Sequence, residues 1–504
     1  KMDPYFGKPE DLNHIDAKLM FDFVLNHLSV HGEWFQKFLE DEEGYEDFFV
    51  TIPEDKIQSL DWEKIFRPRE HNPVIPYTNS KGEVKHVWCT FSETQADINI
   101  ANPDVFCAVM QTLVKDFIAQ GASWIRLDAI GYLVKMFGLY PNSVSTSCFG
   151  IEETHNILKV MRAFLNDIAP SVTLVPEVNA TKDVIKTYYG ENQDEGHLVY
   201  EFPSAPLSLF AIYQQNSSAV VEWAKGRNKD TESIGLAFTG SHDGIGVLPM
   251  ADVPDLKNGT PALTELLHQI ERRGGGINYK SKVVNGKAKR IPYEACITWL
   301  QAVLTPPEHA ALKGNRLSQK ELNLIMDRFL ASQSFIYTAP HCVPADYMGL
   351  LTGLLNDDDL YYIAGHRRNK NRGLVQTELF EKALSNPETN YEVLRAKIFN
   401  SKKHLIETRK KYPAFSPYAK CDVDVIEQKH KKKPIYSILR HSPHCDERVL
   451  ALTNCSESKV QGMFASAEIK EVEDLLSNNI DYELTSEGIL VKLKPYQIAW
   501  LKLK

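Results

Sequence analysis

Residues 123–135, SWIRLDAIGYLVK, set Arg126 and Asp128 two positions apart in an otherwise apolar run that follows Gly121. A strand buried on both faces has no room for unpaired charges, whereas strand ends at the mouth of an α/β barrel carry functional side chains. Side chains two apart on a strand point to the same side, so Arg126 is placed to keep the Asp128 carboxylate ionised and oriented. The segment reads as a barrel strand whose C-terminal end opens into a cavity.

Similar short runs recur on either side of it. KLMFDFVLNH (18–27), VTLVPEV (172–178), LVYEF (198–202), GLAFTGSHD (235–243) and SFIYTAP (334–340) join ASWIRLDAI (122–130) as six strands of a mostly parallel sheet. Between the first two lies a helix with Phe106, Val109, Met110, Leu113 and Phe117 on one face, ended by Gly121. A second helix over 146–170 carries Ile157, Val160, Met161, Phe164 and Ile168, with Pro170 as its stop. Strand and helix in alternation are the signature of an α/β layer or an eight-stranded barrel.

Residues 28–102 and 244–320 are too long for simple crossovers and read as insertions. After the helix NYEVLRAKIFNSKKHLIETRKK, alternating segments such as PIYSILRH, RVLALTN and GILVKLKPYQIAWLKL indicate an antiparallel β region, with the lysines of EQKHKKKP at a hairpin tip. The chain accordingly divides into a catalytic barrel (1–27, 103–243 and 321–415), inserted subdomains at 28–102 and 244–320, and a C-terminal β domain at 416–504.

The 504 residues carry 57 basic and 66 acidic side chains, a net charge of −9, which argues against nucleic acid or an anionic membrane as partner. No run approaches the ~18 apolar residues of a membrane span. The 8 cysteines include no C-x-x-C pair, which fits a reducing cytoplasm better than a disulfide framework. No ligand cluster at metal spacing is present, and neither a metal nor a cofactor is implied.

Polar residues gather at the C-terminal ends of the strands: Asp22, Asn26 and His27, then Arg126 and Asp128, then Glu177, then His242 and Asp243. For one strand such an acid is commonly a cap or loop contact; the same placement on four points to one mouth. Retaining glycoside cleavage uses a nucleophilic carboxylate and a proton-donating one about 5–5.5 Å apart, and a third carboxylate can strengthen its grip as positive charge develops. Glu177 follows the apolar VTLVP, where partial desolvation would help it hold the proton an acid must give.

DFVLNH, RLDAI, EVN and SHD, in that order, resemble the α-amylase clan of (β/α)8 enzymes. HVWCTFSETQADIN, GASWIRLDAIGYLVK, SHDGIGV, YEACITW, RNKNR and LKPYQIAWLKL resemble its sucrose phosphorylase branch over nearly the whole chain. EVNATKDVIKTYYG and EGHLVYEFPSAPL are similar to the subgroup acting on sucrose 6'-phosphate or glucosylglycerate. The resemblance implies retaining glucosyl transfer to inorganic phosphate, with Asp128 as nucleophile, Glu177 as acid/base and Asp243 as transition-state stabiliser. It also implies a sugar site of His27, Phe91, Gln95, Arg126, Tyr132, His242 and Arg372. An acceptor side would hold Arg67, Arg69, Tyr293 and Glu294, where an arginine fork suits a phosphate dianion. Arg67 and Arg69 can also be read as solvated loop charges.

The family's barrel begins with two strands and a helix ahead of the words that here read KMDPYFG, so a barrel lacking its first two strands in this chain is expected. Val178, Ala180-Thr181, Ser204-Ala205 and APHCVPADYM depart from the subgroup's wording and leave the acceptor open. Hydrolysis or transglucosylation within the clan, and a silent sugar-binding barrel, stand as alternatives. Oligomeric state is not legible.

Overall fold

A computed structural model of the chain describes residues 9–62, 65–69, 71–137, 148–252, 260–284, 287–429, 432–466 and 468–504; KMDPYFG lies outside them. The chain divides into two compact units, Lys1–Tyr200 with Tyr279–Tyr293, and Glu201–Asn278 with Glu294–Lys504.

In the first unit, β1 (Leu19–Val24), β2 (Ala122–Asp128) and β3 (Thr173–Pro176) pair in parallel in that order. Register sets Asp22 opposite Arg126 and Val24 opposite Asp128. Between β1 and β2 runs α1 (Pro103–Thr112), capped by Asn102, whose side chain accepts from the Asp104 N–H at 2.9 Å. Val105, Val109, Met110 and Leu113 bury its inner face, with Phe106 and Phe117 at the margin. Gly121 then turns the chain into β2 in the left-handed region (φ 92°).

α2 (Glu152–Ile168) begins later than the sequence suggests; Thr146 and Ser147 lie outside the described residues. Its inner face is also corrected. Thr154, Leu158, Met161 and Leu165 are buried, while Val160, Phe164 and Ile168 are exposed. Two neighbouring apolar rows share this helix at the same i, i+3, i+7 spacing, and periodicity alone cannot say which row is buried. Each of the buried leucines contributes roughly 1.5–3 kcal/mol of burial.

β4 (Leu198–Glu201) ends where the second unit begins, and α3 (Ser204–Gln214) follows it. Within that unit β5 (Ile234–Phe238) and β6 (Cys342–Ala345) pair in parallel, Gly235 opposite Cys342. SFIYTAP is therefore not a strand. It completes α4 (Gln319–Thr338), which starts at a capping box of Ser318 and Glu321, and the strand is the CVPA that follows. Every residue from Arg328 to Thr338 is buried, so the second half of the helix is enclosed on all sides and its burial follows no period.

α5 (Asn390–Lys411) opens on a second capping box, Thr389 with Glu392. Beyond it the strands form two antiparallel sheets. One runs Lys420–Val423, Ile435–His441, Arg448–Asn454, Ile498–Leu503, Val472–Asp474; the other runs Val460–Ala465, Gly488–Leu493, Asp481–Thr485. Ile435, Leu450, Leu452, Ile489, Val491 and Leu501 are central to the core that joins them. The lysine run falls in the connection between the first two strands, with His430 and Lys431 outside the described residues.

Candidate active site

The first unit gathers three acids on one arginine. Arg126 Nη1 stands 2.6 Å from Asp22 Oδ1 and 2.7 Å from Asp128 Oδ1, and its Nη2 is 4.0 Å from Glu177 Oε2. Burial alone would lower the guanidinium's pKa, but Glu177, Asp128 and Asp22 together raise it, so the cation is fixed. The Tyr200 ring closes one side at 5.8 Å. Asp128 is the last residue of β2, and Ala129 turns the chain immediately after it in the left-handed region (φ 52°), unusual for a residue with a Cβ. That turn aims the Ala129 N–H at Glu177 Oε2, 3.1 Å away. Glu177 in turn continues the ladder beyond β3, its N–H donating to the Leu127 carbonyl at 3.0 Å.

His27, Gln95, Phe91 and Tyr132 come together around the same strand ends. A short strand, His27–Ser29, pairs antiparallel with Gln95–Asp97, bringing His27 Nε2 to 2.9 Å from Gln95 Nε2. The Phe91 ring lies 5.1 Å from that of His27 and meets the Tyr132 ring edge-on at 5.4 Å. Burial pushes the His27 pKa below its ordinary value, against the pull of Asp97 and Asp128. A neutral imidazole beside an aromatic ring can exchange hydrogen bonds with hydroxyls without opposing a developing cation.

Beneath these residues lies a network the sequence reading missed. Lys135, the last residue of the opening stretch, places Nζ 2.5 Å from Asp97 Oδ2 and 2.7 Å from Asn26 Oδ1. Asn26 Nδ2 and Thr90 Oγ1 both donate to Asp97, at 3.1 and 2.6 Å. All four side chains are buried. The network ties the segment after the Asp128 turn to the strands that carry His27 and Gln95. A lysine ending an apolar run was the available signal.

On the outer side, Arg69 stands over the Phe91 ring at 5.6 Å and donates from Nη1 to the Pro68 carbonyl at 3.0 Å. Arg67 donates to the His71 carbonyl at 3.3 Å and lies over Trp62 at 5.3 Å, half-buried. Tyr293 is buried, 6.0 Å from the Lys280 ammonium, which itself sits 3.9 Å over Phe66. Lys280 is a third cation on this side that sequence reasoning did not find.

The remaining nominated residues belong to the second unit. Asp243 Oδ1 receives Arg368 Nη1 and Arg372 Nη2, each at 2.8 Å, and lies 3.4 Å from His242 Nε2. Glu294 is buried and takes Arg368 bidentately, at 2.9 and 2.6 Å, while Asn278 donates to the same carboxylate at 2.9 Å. Gly244 follows Asp243 at φ +104°. A Cβ there would stand 2.4 Å from the Ala295 carbonyl oxygen, so only glycine fits the turn that sets Asp243. Arg368 was missed although it opens RNKNR, the stretch that also carries Arg372, on the 3-10 turn Arg367–Asn371 and its cap.

A family model described as the alpha amylase catalytic domain matches residues 1–249. The glucosylglycerate phosphorylase of Allomeiothermus silvanus is 32% identical, over 99% of this chain and 80% of the relative. The chain belongs to the α-amylase family. On its sucrose phosphorylase branch, the glucosylglycerate phosphorylase of Escherichia coli K12 is 28% identical over 98% of this chain and 80% of its own length. The crystal structure of sucrose 6F-phosphate phosphorylase from Thermoanaerobacter thermosaccharolyticum superposes with a TM-score of 0.67 at 20% identity, over 89% of this chain and 80% of that one. The fold is thus the (β/α)8 barrel of this family. No helix among the described residues is long and apolar enough to cross a membrane.

Proposed function

We propose that this member of the family moves the glucosyl unit of an α-glucoside to inorganic phosphate with retention, giving α-glucose 1-phosphate through a β-glucosyl ester on Asp128. The observation that carries the reading is the shared guanidinium. Arg126 reaches Asp128 and Glu177 from one fixed position, at 2.7 and 4.0 Å, as two carboxylates acting on a single anomeric carbon require. Asp128 attacks that carbon while Glu177 gives its proton to the departing glycosidic oxygen. An oxygen of phosphate then attacks the ester carbon, its proton passes to Glu177, and the bonding pair returns to Asp128. Asp243 accepts from sugar hydroxyls as the oxocarbenium charge grows.

His27, Phe91, Gln95, Tyr132, His242 and Arg372 take the glucosyl side, while Arg67, Arg69 and Tyr293 take phosphate, with Lys280 added to them. Arg67 over Trp62, Arg69 over Phe91 and Lys280 over Phe66 bring three cations to this side, which suits a dianion. Glu294 fits this side less well than its position in the sequence suggests, because Arg368 and Asn278 already occupy its carboxylate. The names of the relatives at 28–32% identity favour glucosylglycerate as the donor, ahead of sucrose and sucrose 6'-phosphate. The same reading keeps a catalytic barrel of 1–27, 103–243 and 321–415, insertions at 28–102 and 244–320, and a β domain from 416.

The test is product analysis with glucosylglycerate, sucrose and sucrose 6'-phosphate, each with and without phosphate. Phosphate-dependent release of α-glucose 1-phosphate supports the reading. Free glucose formed at the same rate without phosphate makes the chain a hydrolase, and sugar binding with no product makes it a silent barrel.

A further inference from the structure

Two arginines converge on one oxygen of Asp243, and they are not equivalent. The Arg372 side chain is 39% exposed, and its partners are Asp243 and the His242 carbonyl. Arg368 is only 14% exposed, and its other nitrogens are locked on Glu294, whose side chain is 3% exposed. A bidentate charge-assisted pair in that setting fixes the guanidinium plane as well as its position. Asn278 donates to Glu294 Oε1, the oxygen that also takes Arg368 Nε, and the buried Cys296 thiol lies 3.5 Å from the same oxygen. Both arginines engage Oδ1, and Oδ2 takes no hydrogen bond among the described residues. One oxygen is thus clamped and the other is presented.

We propose that Arg368, anchored on Glu294, is the positioning residue that fixes the Asp243 carboxylate and presents its second oxygen to the sugar, leaving Arg372 as the substrate-facing arginine. This rests on the assignment of Asp243 as the stabilising acid. A stabiliser of positive charge must stay ionised and must not reorient as charge develops, because reorganisation at that moment removes its advantage. Burial opposes ionisation of Asp243, and Arg368 leads the groups that overcome it, ahead of His242 and Arg372, so the carboxyl lies below its ordinary range. The other groups facing this acid do not supply that charge. Tyr347 and the Cys296 thiol are both pushed up by burial and stay neutral at working pH, and Glu294 acts through Arg368.

The test compares pH profiles of kcat and KM for the full chain and its Arg368→Gln, Arg368→Lys, Glu294→Gln and Arg372→Gln variants, with Asp243→Asn as reference. Arg368→Gln is expected to lower kcat by about 10- to 100-fold with little change in KM, and to move the acid limb up by about one pH unit, as a lost neighbouring cation does. Arg368→Lys restores the limb but only part of kcat, since the charge returns without the fork. Glu294→Gln lowers kcat without raising the limb, and Arg372→Gln acts mainly on KM. Where Arg368→Gln does not fold, the lysine and Glu294 variants decide by the same criteria. Arg368 variants that change KM alone, or that leave the acid limb in place, overturn the proposal while the enzyme reading stands. An Asp243→Asn enzyme with undiminished turnover removes the stabiliser role itself, and this inference with it.

Discussion

Arg126 holds Asp128 at 2.7 Å across the end of β2 while the same guanidinium lies 4.0 Å from Glu177. One cation thus faces both carboxylates, in direct contact with the first and at the limit of an ion pair with the second. That asymmetry suits a nucleophile and an acid. Asp128→Asn keeps the shape and the Arg126 contact but removes the nucleophilic oxygen. It is expected to leave less than ~1% of turnover with an unchanged circular dichroism spectrum and melting temperature.

Glu177→Gln separates proton donation from nucleophilic attack. With a natural donor, whose leaving oxygen needs a proton, turnover should fall by at least ~10²-fold. With α-glucosyl fluoride, whose leaving group needs none, fluoride should appear in a burst equal to the enzyme present, as ester forms and then waits for its missing base. Equal losses on both donors would argue against the acid/base role.

Lys135 and Asp97 predict a large effect on stability. Lys135→Met leaves the Asp97 carboxylate, fully buried, without its cation, and should cost about 3–5 kcal/mol in urea unfolding. Removing both charges, as Lys135→Met with Asp97→Asn, should recover much of the loss. An exposed pair would show neither effect.

Asp327 on α4 gives a pH-dependent prediction. Burial raises its pKa from 3.8 to about 6, against the pull of Lys494 and Lys397. A carboxyl whose folded pKa lies above the unfolded one costs nothing below pH ~4, progressively more as pH rises towards ~6, and its full penalty above. Asp327→Asn should therefore stabilise the protein above pH 6, by on the order of 1–2 kcal/mol given its partial solvation, and change little at pH 4. Thermal melts at the two pH values measure the difference.

Much of this molecule is legible in its sequence where chemistry and period coincide. Arg126 and Asp128 fall two apart on a strand, so their shared side follows from the pleat, and Gly121 marks the end of the preceding helix. Period fails where burial is complete. The end of α4 is buried on all faces, so SFIYTAP resembles a strand until the capping box at Ser318 is given its due, and α2 carries two apolar rows of which the interior takes one. Partners distant in sequence are hidden altogether. Nothing near Lys135 announces Asp97, and Arg368 gains its meaning from Glu294, 74 residues away.

The ester on Asp128 is open to direct observation. Glu177→Gln enzyme mixed with α-glucosyl fluoride, quenched in acid within the burst and digested, should yield one peptide heavier by a glucosyl residue, with fragmentation placing the sugar on Asp128. A sugar on any other residue, or full turnover of the fluoride with no modified peptide at any quench time, would contradict the mechanism proposed here.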